Sequence, residues 1–266
     1  MAKIQHVCQV VSNEKFCPKF YRLCFAAEPI RRKVRPGQFV HIRAGEGLEP
    51  FLRRPFSVSR LPAGGHGAKK HVEILYEAVG PGTRILASKK KGDVLDVLGP
   101  LGTPFRMPPQ GIKQVVMIAG GIGAAPFFML SDALKGKGYN LILLYGGRSR
   151  GHVFNMREFK RQGCKVYTAT DDGSVGVRGR VSVLFDKIKT APAATFLYAC
   201  GPRPMIASVQ VFARRHNIGG QVSCEETMAC GLGACLGCSV LTASGYKTVC
   251  CDGPVFDIDE VEIPLP

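Results

Sequence analysis

Cys230, Cys235 and Cys238 stand in the stretch MACGLGACLGC at the spacing C-x4-C-x2-C, and Cys250 follows after eleven intervening residues. Three close thiols and one distant one suit a [2Fe–2S] cluster of the plant ferredoxin type, held by four thiolates. Gly231, Gly233 and Gly237 let such a loop curl until the thiols converge and backbone N–H groups face the cluster sulfurs. Four thiolates also suit a structural zinc ion, but zinc ribbons place ligands in paired C-x2-C knuckles, and only Cys235 and Cys238 have that spacing. Buried, unreactive thiols are the remaining alternative, and three cysteines in so short a glycine-rich run argue against it. Spacing leaves the fourth ligand open between Cys250, its neighbour Cys251 and the upstream Cys224.

Two further segments have the chemistry of nucleotide cofactors. In Arg53-Arg54-Pro55-Phe56-Ser57-Val58-Ser59 an arginine can neutralise a pyrophosphate, Phe56 offers a ring face to a flavin or adenine, and Ser57 offers a hydroxyl. Alone, this pattern reads more readily as a basic pair before an edge strand. Support comes from Gly80-Pro81-Gly82-Thr83, which can open a short helix whose N-terminal amides bind phosphate. Gly120, Gly121 and Gly123 lie in AGGIGAAP between an apolar run and a helical one, where a dinucleotide pyrophosphate approaches backbone amides. Close packing of a strand on a helix would use the same glycines. Cys200, Gly201 and Pro202 repeat the arrangement, with Cys200 either bordering a nicotinamide or buried as a strand-end thiol. Arg148 and Arg150 follow LILLYGG and leave NAD and NADP both open.

The elements that must hold these residues can be read from apolar spacing. Residues 1–107 carry short apolar runs broken by glycine, proline and polar clusters: IQHVCQVV, FYRLCFA, QFVHIR, PFSVSR, HVEILYEAV and VLDVLG. They predict an antiparallel β-barrel with a turn or two of helix between Gly82 and Lys90. GPLGTPFRMPPQG reads as a linker. Residues 108–220 then alternate β-rich runs (QVVMIAG, LILLYGG, CKVYTAT, TFLYACG) with helical ones (APFFMLSDALKG, MREFKRQ, VSVLFDKI, PMIASVQVFARRH). Such a βαβ series predicts a parallel sheet whose ligands sit beyond the carboxyl ends of its strands. Residues 221–266 form a small cysteine-rich appendage.

Composition narrows the classes. The 266 residues are 45% hydrophobic, which excludes disorder and admits two domains with a small addition. Eleven cysteines without an N-terminal signal pattern argue against a disulfide framework and for reduced thiols in the cytoplasm. The uncharged stretch from Val115 to Ser131 is interrupted by glycines and a proline and is too short to span a membrane. A net charge of +16 admits nucleic acid, anionic membranes or anionic small molecules, but the basic residues fall in short separate clusters and no nucleic-acid motif accompanies them.

The order RRPFSVS, GPGT, GGIGAAPF, TATDDGSVG, CGPRPM resembles the ferredoxin–NADP reductase superfamily, and MACGLGACLGC with VCCDGPVF resembles the electron-transfer subunits of B-type, NAD-linked dihydroorotate dehydrogenase. This resemblance covers essentially the whole chain. It implies a flavin-binding β-barrel (1–107), a nicotinamide-binding α/β domain (108–220) and a [2Fe–2S] subdomain (221–266). It further implies FAD contacts at Arg54, Pro55, Phe56 and Ser57, a ring-contacting strand at Leu75, Tyr76 and Glu77, and a phosphate turn at Gly82 and Thr83. The family's Cys-x-Asp-Gly-Pro implies Cys250 as the fourth ligand beside Cys230, Cys235 and Cys238. Electrons would pass between NAD, FAD and the cluster, and a partner subunit carrying FMN would oxidise dihydroorotate to orotate within a heterotetramer. Ferredoxin:NADP and sulfide dehydrogenase subunits are also similar, although some carry Asp at the first ligand position, where this chain has Cys230.

Overall fold

A computed structural model describes residues 4–45, 47, 49–62, 70–188 and 191–263. Six strands, β1 (Ile4–Lys15), β2 (Phe20–Ala26), β3 (Phe39–Arg43), β4 (Arg54–Arg60), β5 (His71–Glu77) and β6 (Val94–Leu101), close a barrel in the order β1-β2-β5-β4-β3-β6. All of its pairings are antiparallel. Alternation drives the closure. On β1, Cys8 and Val10 face inward while Val7 and Gln9 face solvent, and Leu23, Phe25, Val40, Ile42, Val58, Val72, Ile74 and Val97 fill the interior. The short α1 (Glu28–Arg31) buries Ile30 in this core. The helix expected after Gly82 is α2 (Pro81–Ser88), opened by proline in its first turn. Packing overrides the glycine–proline signal at Gly99 and Pro100, because β6 continues through buried Leu101, paired with Phe39.

The second half winds β7 (Gln114–Gly120), α3 (Ala125–Leu134), β8 (Asn140–Gly147), α4 (Met156–Arg161), β9 (Lys165–Thr170), β10 (Val177–Arg178), β11 (Thr195–Cys200), α5 (Arg203–His216) and β12 (Gly220–Ser223). The strands form a sheet in the order β10-β9-β8-β7-β11-β12-β15, parallel except for β15 (Val255–Asp257), which pairs antiparallel with β12. Strands such as VVMIA and FLYAC are apolar throughout because helices or the barrel cover both faces. VSVLFDKI is a 3₁₀ segment, Val181–Lys187, rather than an α-helix. Its early valines disfavour α geometry, and Val181 and Leu184, three apart, are both buried, as a three-residue turn requires. After β12 come the cysteine loop and the hairpin β13 (Ser239–Thr242) and β14 (Gly245–Thr248). The C-terminal segment therefore begins and ends on the main sheet.

The two halves are pinned by Arg60 at the end of β4. Its guanidinium donates to Glu73 on β5 at 2.5 Å, pairs with Glu158 on α4, and lies 3.8 Å from the ring centroid of Phe128 on α3. Arg60 and Glu73 keep only 14% and 9% of their side-chain surface, so removing the cation leaves a buried carboxylate offset only by Arg22 at 3.7 Å and by the Ser59 hydroxyl. Arg60→Ala is expected to lower stability by about 3 kcal/mol, read from urea denaturation. Adding Glu73→Gln should recover part of the loss, and no recovery would show that Arg60 acts by packing alone.

Candidate functional site

The carboxyl ends of β7, β8, β9 and β11 surround a cavity of about 350 Å³. Its floor includes Gly120 and Gly121 after β7, Gly146 and Gly147 at the end of β8, and Gly201 and Pro202 after β11. Arg148, Asp171 and Arg180 form its outer end, on the β8–β9 side. Gly123 shows why this turn is glycine-rich: a Cβ there would lie 2.3 Å from the Cys200 carbonyl oxygen, so the chain entering α3 could not approach β11. Cys200 is buried behind this contact, 2% exposed, and does not line the cavity. Burial pushes its thiol well above its ordinary value, and the nearby Glu225 carboxylate adds to that.

A second cavity, of about 510 Å³, lies between barrel and sheet. Arg54, Pro55, Phe56 and Ser57 of β4, Leu75, Tyr76 and Glu77 of β5, and Thr83 of α2 all line it, so eight residues singled out for flavin contact meet on one surface. Gly123 lies on its sheet side. Gly82 is placed against Arg54, its missing Cβ 3.3 Å from Nε. Arg54 is braced by Nη1 donating to the Leu52 carbonyl at 2.6 Å. Thr83 Oγ1 accepts from Val79 N and Gly80 N, both at 2.9 Å, holding the helix entry in place. Tyr76 donates to Asn13 Oδ1 at 3.0 Å, and burial pushes its phenol above the ordinary range.

Glu77, Ile122 and Glu225 line both cavities, so the two meet there. Glu225 is exposed and faces both cavities, and desolvation by the surrounding protein raises its carboxyl above the ordinary value. Ser223 to Met228 line the second cavity, and only Ala229 separates that wall from Cys230. Pro254, shortly after Cys250, lines it too.

The thiols fall into two groups. Burial pushes the Cys230 thiol up, but the Leu232, Cys235 and Ala234 amides and the Cys235 thiol outweigh it and bring it down to about 6. Leu232 N donates to Cys230 Sγ at 3.3 Å. Cys250, 1% exposed, is pushed up to about 12 by burial and by the Cys238 and Cys251 thiols, with Cys251 Sγ at 3.7 Å. Among the described residues no three Cys, His, Asp or Glu side chains converge as a single metal ion would require. Two irons, each taking two thiolates, fit two thiol groups better than one tetrahedral zinc does. Behind the loop sits His41, 0% exposed, its imidazole against the Arg53 and Cys230 backbones. A Cβ on Gly231 would lie 2.6 Å from its Nδ1.

The model of the "iron-sulfur cluster binding domain of dihydroorotate dehydrogenase B" matches residues 225–262, and that of an "oxidoreductase NAD-binding domain" matches residues 117–211. The dihydroorotate dehydrogenase B (NAD(+)) electron transfer subunit of Geobacillus thermodenitrificans is 37% identical, the match covering 95% of this chain and 96% of that protein. The chain belongs to this family. The electron transfer subunit of Fusobacterium nucleatum is 36% identical, over 96% of this chain and 98% of that one. Among solved structures, a chain of the NADH-dependent reduced ferredoxin-NADP oxidoreductase superposes with a TM-score of 0.84 at 28% identity, covering 97% of this chain and 90% of its own. A ferredoxin NADP+ reductase from Neisseria gonorrhoeae, bound to FAD and NADP, shares the fold at a TM-score of 0.65 and 18% identity, over 80% of this chain and 91% of its own.

Within this dihydroorotate dehydrogenase B frame, the donor sets fit their groups. The large cavity offers a cation, hydroxyls and aromatic walls to a flavin dinucleotide, the smaller one offers backbone amides at four strand ends, and the loop offers four thiols with amides turned toward sulfur. Sequence reasoning missed Glu225 and His41, which carry no motif of their own, and took Ile122 only as part of AGGIGAAP. Gly231→Ala, at φ +70° and against His41, is expected to yield protein with less than about half the wild-type iron and sulfide while FAD remains bound. Full iron content in that variant would show that the loop tolerates the methyl group.

Proposed function

We propose that this chain passes electrons between a partner flavoprotein, which oxidises dihydroorotate to orotate, and NAD+. The partner holds FMN together with the substrate and its base, and the two kinds of subunit assemble as a heterotetramer in the cytoplasm. No helix among the described residues is long and apolar enough to cross a membrane. The observation that carries this reading is continuity: the two cavities meet at Glu77, Ile122 and Glu225, and the wall of the larger one runs directly into the cysteine loop.

When bound, FAD exchanges electron pairs with nicotinamide and single electrons with an iron–sulfur centre, which joins the two kinds of chemistry. The residues divide the remaining work. Arg54 offsets pyrophosphate charge, Thr83 and Gly82 shape the turn that receives it, and Ser57, Leu75, Tyr76 and Glu77 orient the ring system. Gly120, Gly121, Gly201 and Pro202 bring backbone close to the nicotinamide nucleotide, while Gly123 lets α3 pack against β11. Ile122 excludes water at the junction, and the Glu225 carboxyl faces it from the sheet side. Cys200 supports this floor from behind. Cys230 with Cys235, and Cys238 with Cys250, would hold the two irons. Cys250 lies beside Cys238, which supports it as the fourth ligand, and Cys224 faces the larger cavity instead. Residues 1–107, 108–220 and 221–266 are the corresponding functional units.

Mixing the purified chain with a dihydroorotate-oxidising catalytic subunit should produce dihydroorotate-dependent reduction of NAD+, abolished when either subunit is omitted. Failure with that partner, alongside rapid reduction of ferredoxin or polysulfide by NADH or NADPH, would instead assign the chain to a reductase serving another acceptor.

A further inference from the structure

A polar ring is buried where the cysteine loop docks on the barrel. On β3, Val40 and Ile42 fill the barrel interior, while Phe39 and His41 alternate to its outer face. That face is nevertheless closed to solvent, because Phe39, with Leu98 and Leu101 of β6, packs into the same core as Cys238, Val240, Val249 and Cys250. His41, opposite Leu98 in the sheet, is the polar member of this platform and is 0% exposed. Its Nδ1 lies so close to Gly231, the residue after Cys230, that a Cβ there would stand 2.6 Å away. The Cys230 and Arg53 backbones face its nitrogens as acceptors. Along the other side of β3, His41 is opposite Pro55 of β4, within the segment assigned to the flavin.

An apolar side chain would fill this place without desolvating a polar ring, so packing alone does not call for an imidazole here. An N–H given to the Cys230 backbone does two things that an aliphatic group cannot. It fixes the first limb of the loop on a strand that neighbours the flavin segment, and it draws electron density from the peptide of a ligand residue, which favours the more negative, reduced state of a cluster. We propose that His41 is a positioning residue for the iron–sulfur centre, acting through the Cys230 backbone to hold that ligand in place and to raise the reduction potential of the cluster. The inference rests on the reading above that Cys230 is a cluster ligand. It adds a barrel residue, distant in sequence from every thiol of the loop, to the groups that tune electron transfer.

Anaerobic redox titration of the FAD- and cluster-loaded chain, followed by electron paramagnetic resonance, tests it without turnover in wild type, His41→Leu and His41→Asn. Leucine keeps an apolar filling and removes the N–H, whereas asparagine can place an amide N–H near the position of Nδ1. His41→Leu should lower the equilibrium constant for cluster reduction at least about tenfold, about 59 mV for one electron, and shift the g-values of the reduced cluster, or else fail to hold iron. His41→Asn should keep its iron and stay within about threefold of wild type. FAD content should be unchanged in both. A Leu variant with wild-type potential and g-values overturns the proposal, and so does an Asn variant displaced as far as the Leu one, iron loss in both included. Loss of FAD with iron retained assigns the ring to the flavin strand and overturns it too. Wild-type protein that takes up zinc and no iron overturns the cluster reading itself.

Discussion

Adjacency is the constraint on which this molecule depends: two nucleotide sites and a metal loop must touch in sequence, yet each is built by a different part of the chain. The segment Ser223–Met228 meets it. It leaves the parallel sheet at the carboxyl end of β12, walls the larger cavity, and enters the cysteine loop at Cys230. Pairing of β15 with β12 returns the chain to the same edge, and Thr103 Oγ1 donates to the Val255 carbonyl at 3.0 Å, tying that edge to the segment leaving the barrel. The loop is thereby held against both larger units rather than hanging from one.

The same logic explains where the charge goes. Arg53 pairs with Asp96 at 2.5 Å, and Arg60 with Glu73 and Glu158, so these cations hold the barrel and its junction with the sheet together. Arg54, Arg148 and Arg180 instead face the cavities. Part of the +16 is thus a complement to anionic cofactors, which gives the basic composition a reason that needs no nucleic acid. The thiols divide similarly. Burial pushes Cys8 and Cys164 up to about 12 and Cys24 up to about 11, leaving them as core side chains, while loop amides lower Cys230.

Much of this was legible from local signals. Alternation marked the barrel strands, apolar runs bounded by glycines marked β7, β8 and β11, and thiol spacing marked the loop. The junction was not legible, because Glu77, Ile122 and Glu225 are far apart in sequence and meet only when the barrel docks on the sheet edge. His41 sits in a strand with an ordinary pattern, and nothing local reveals that Gly231 closes over it. The 3₁₀ form of Val181–Lys187 reflects packing together with the weak helix propensity of its valines, and the return of β15 to the sheet is decided by packing.

The central claim is that all three sites communicate within this one chain. Anaerobic titration of the purified, cluster-loaded protein with NADH, followed by visible absorption and by electron paramagnetic resonance, tests it most directly. The account predicts bleaching of the flavin band together with the signal of a reduced [2Fe–2S] cluster, without any partner present. Flavin bleaching with a cluster that stays oxidised in the presence of excess NADH, or iron-free protein containing zinc, would contradict it.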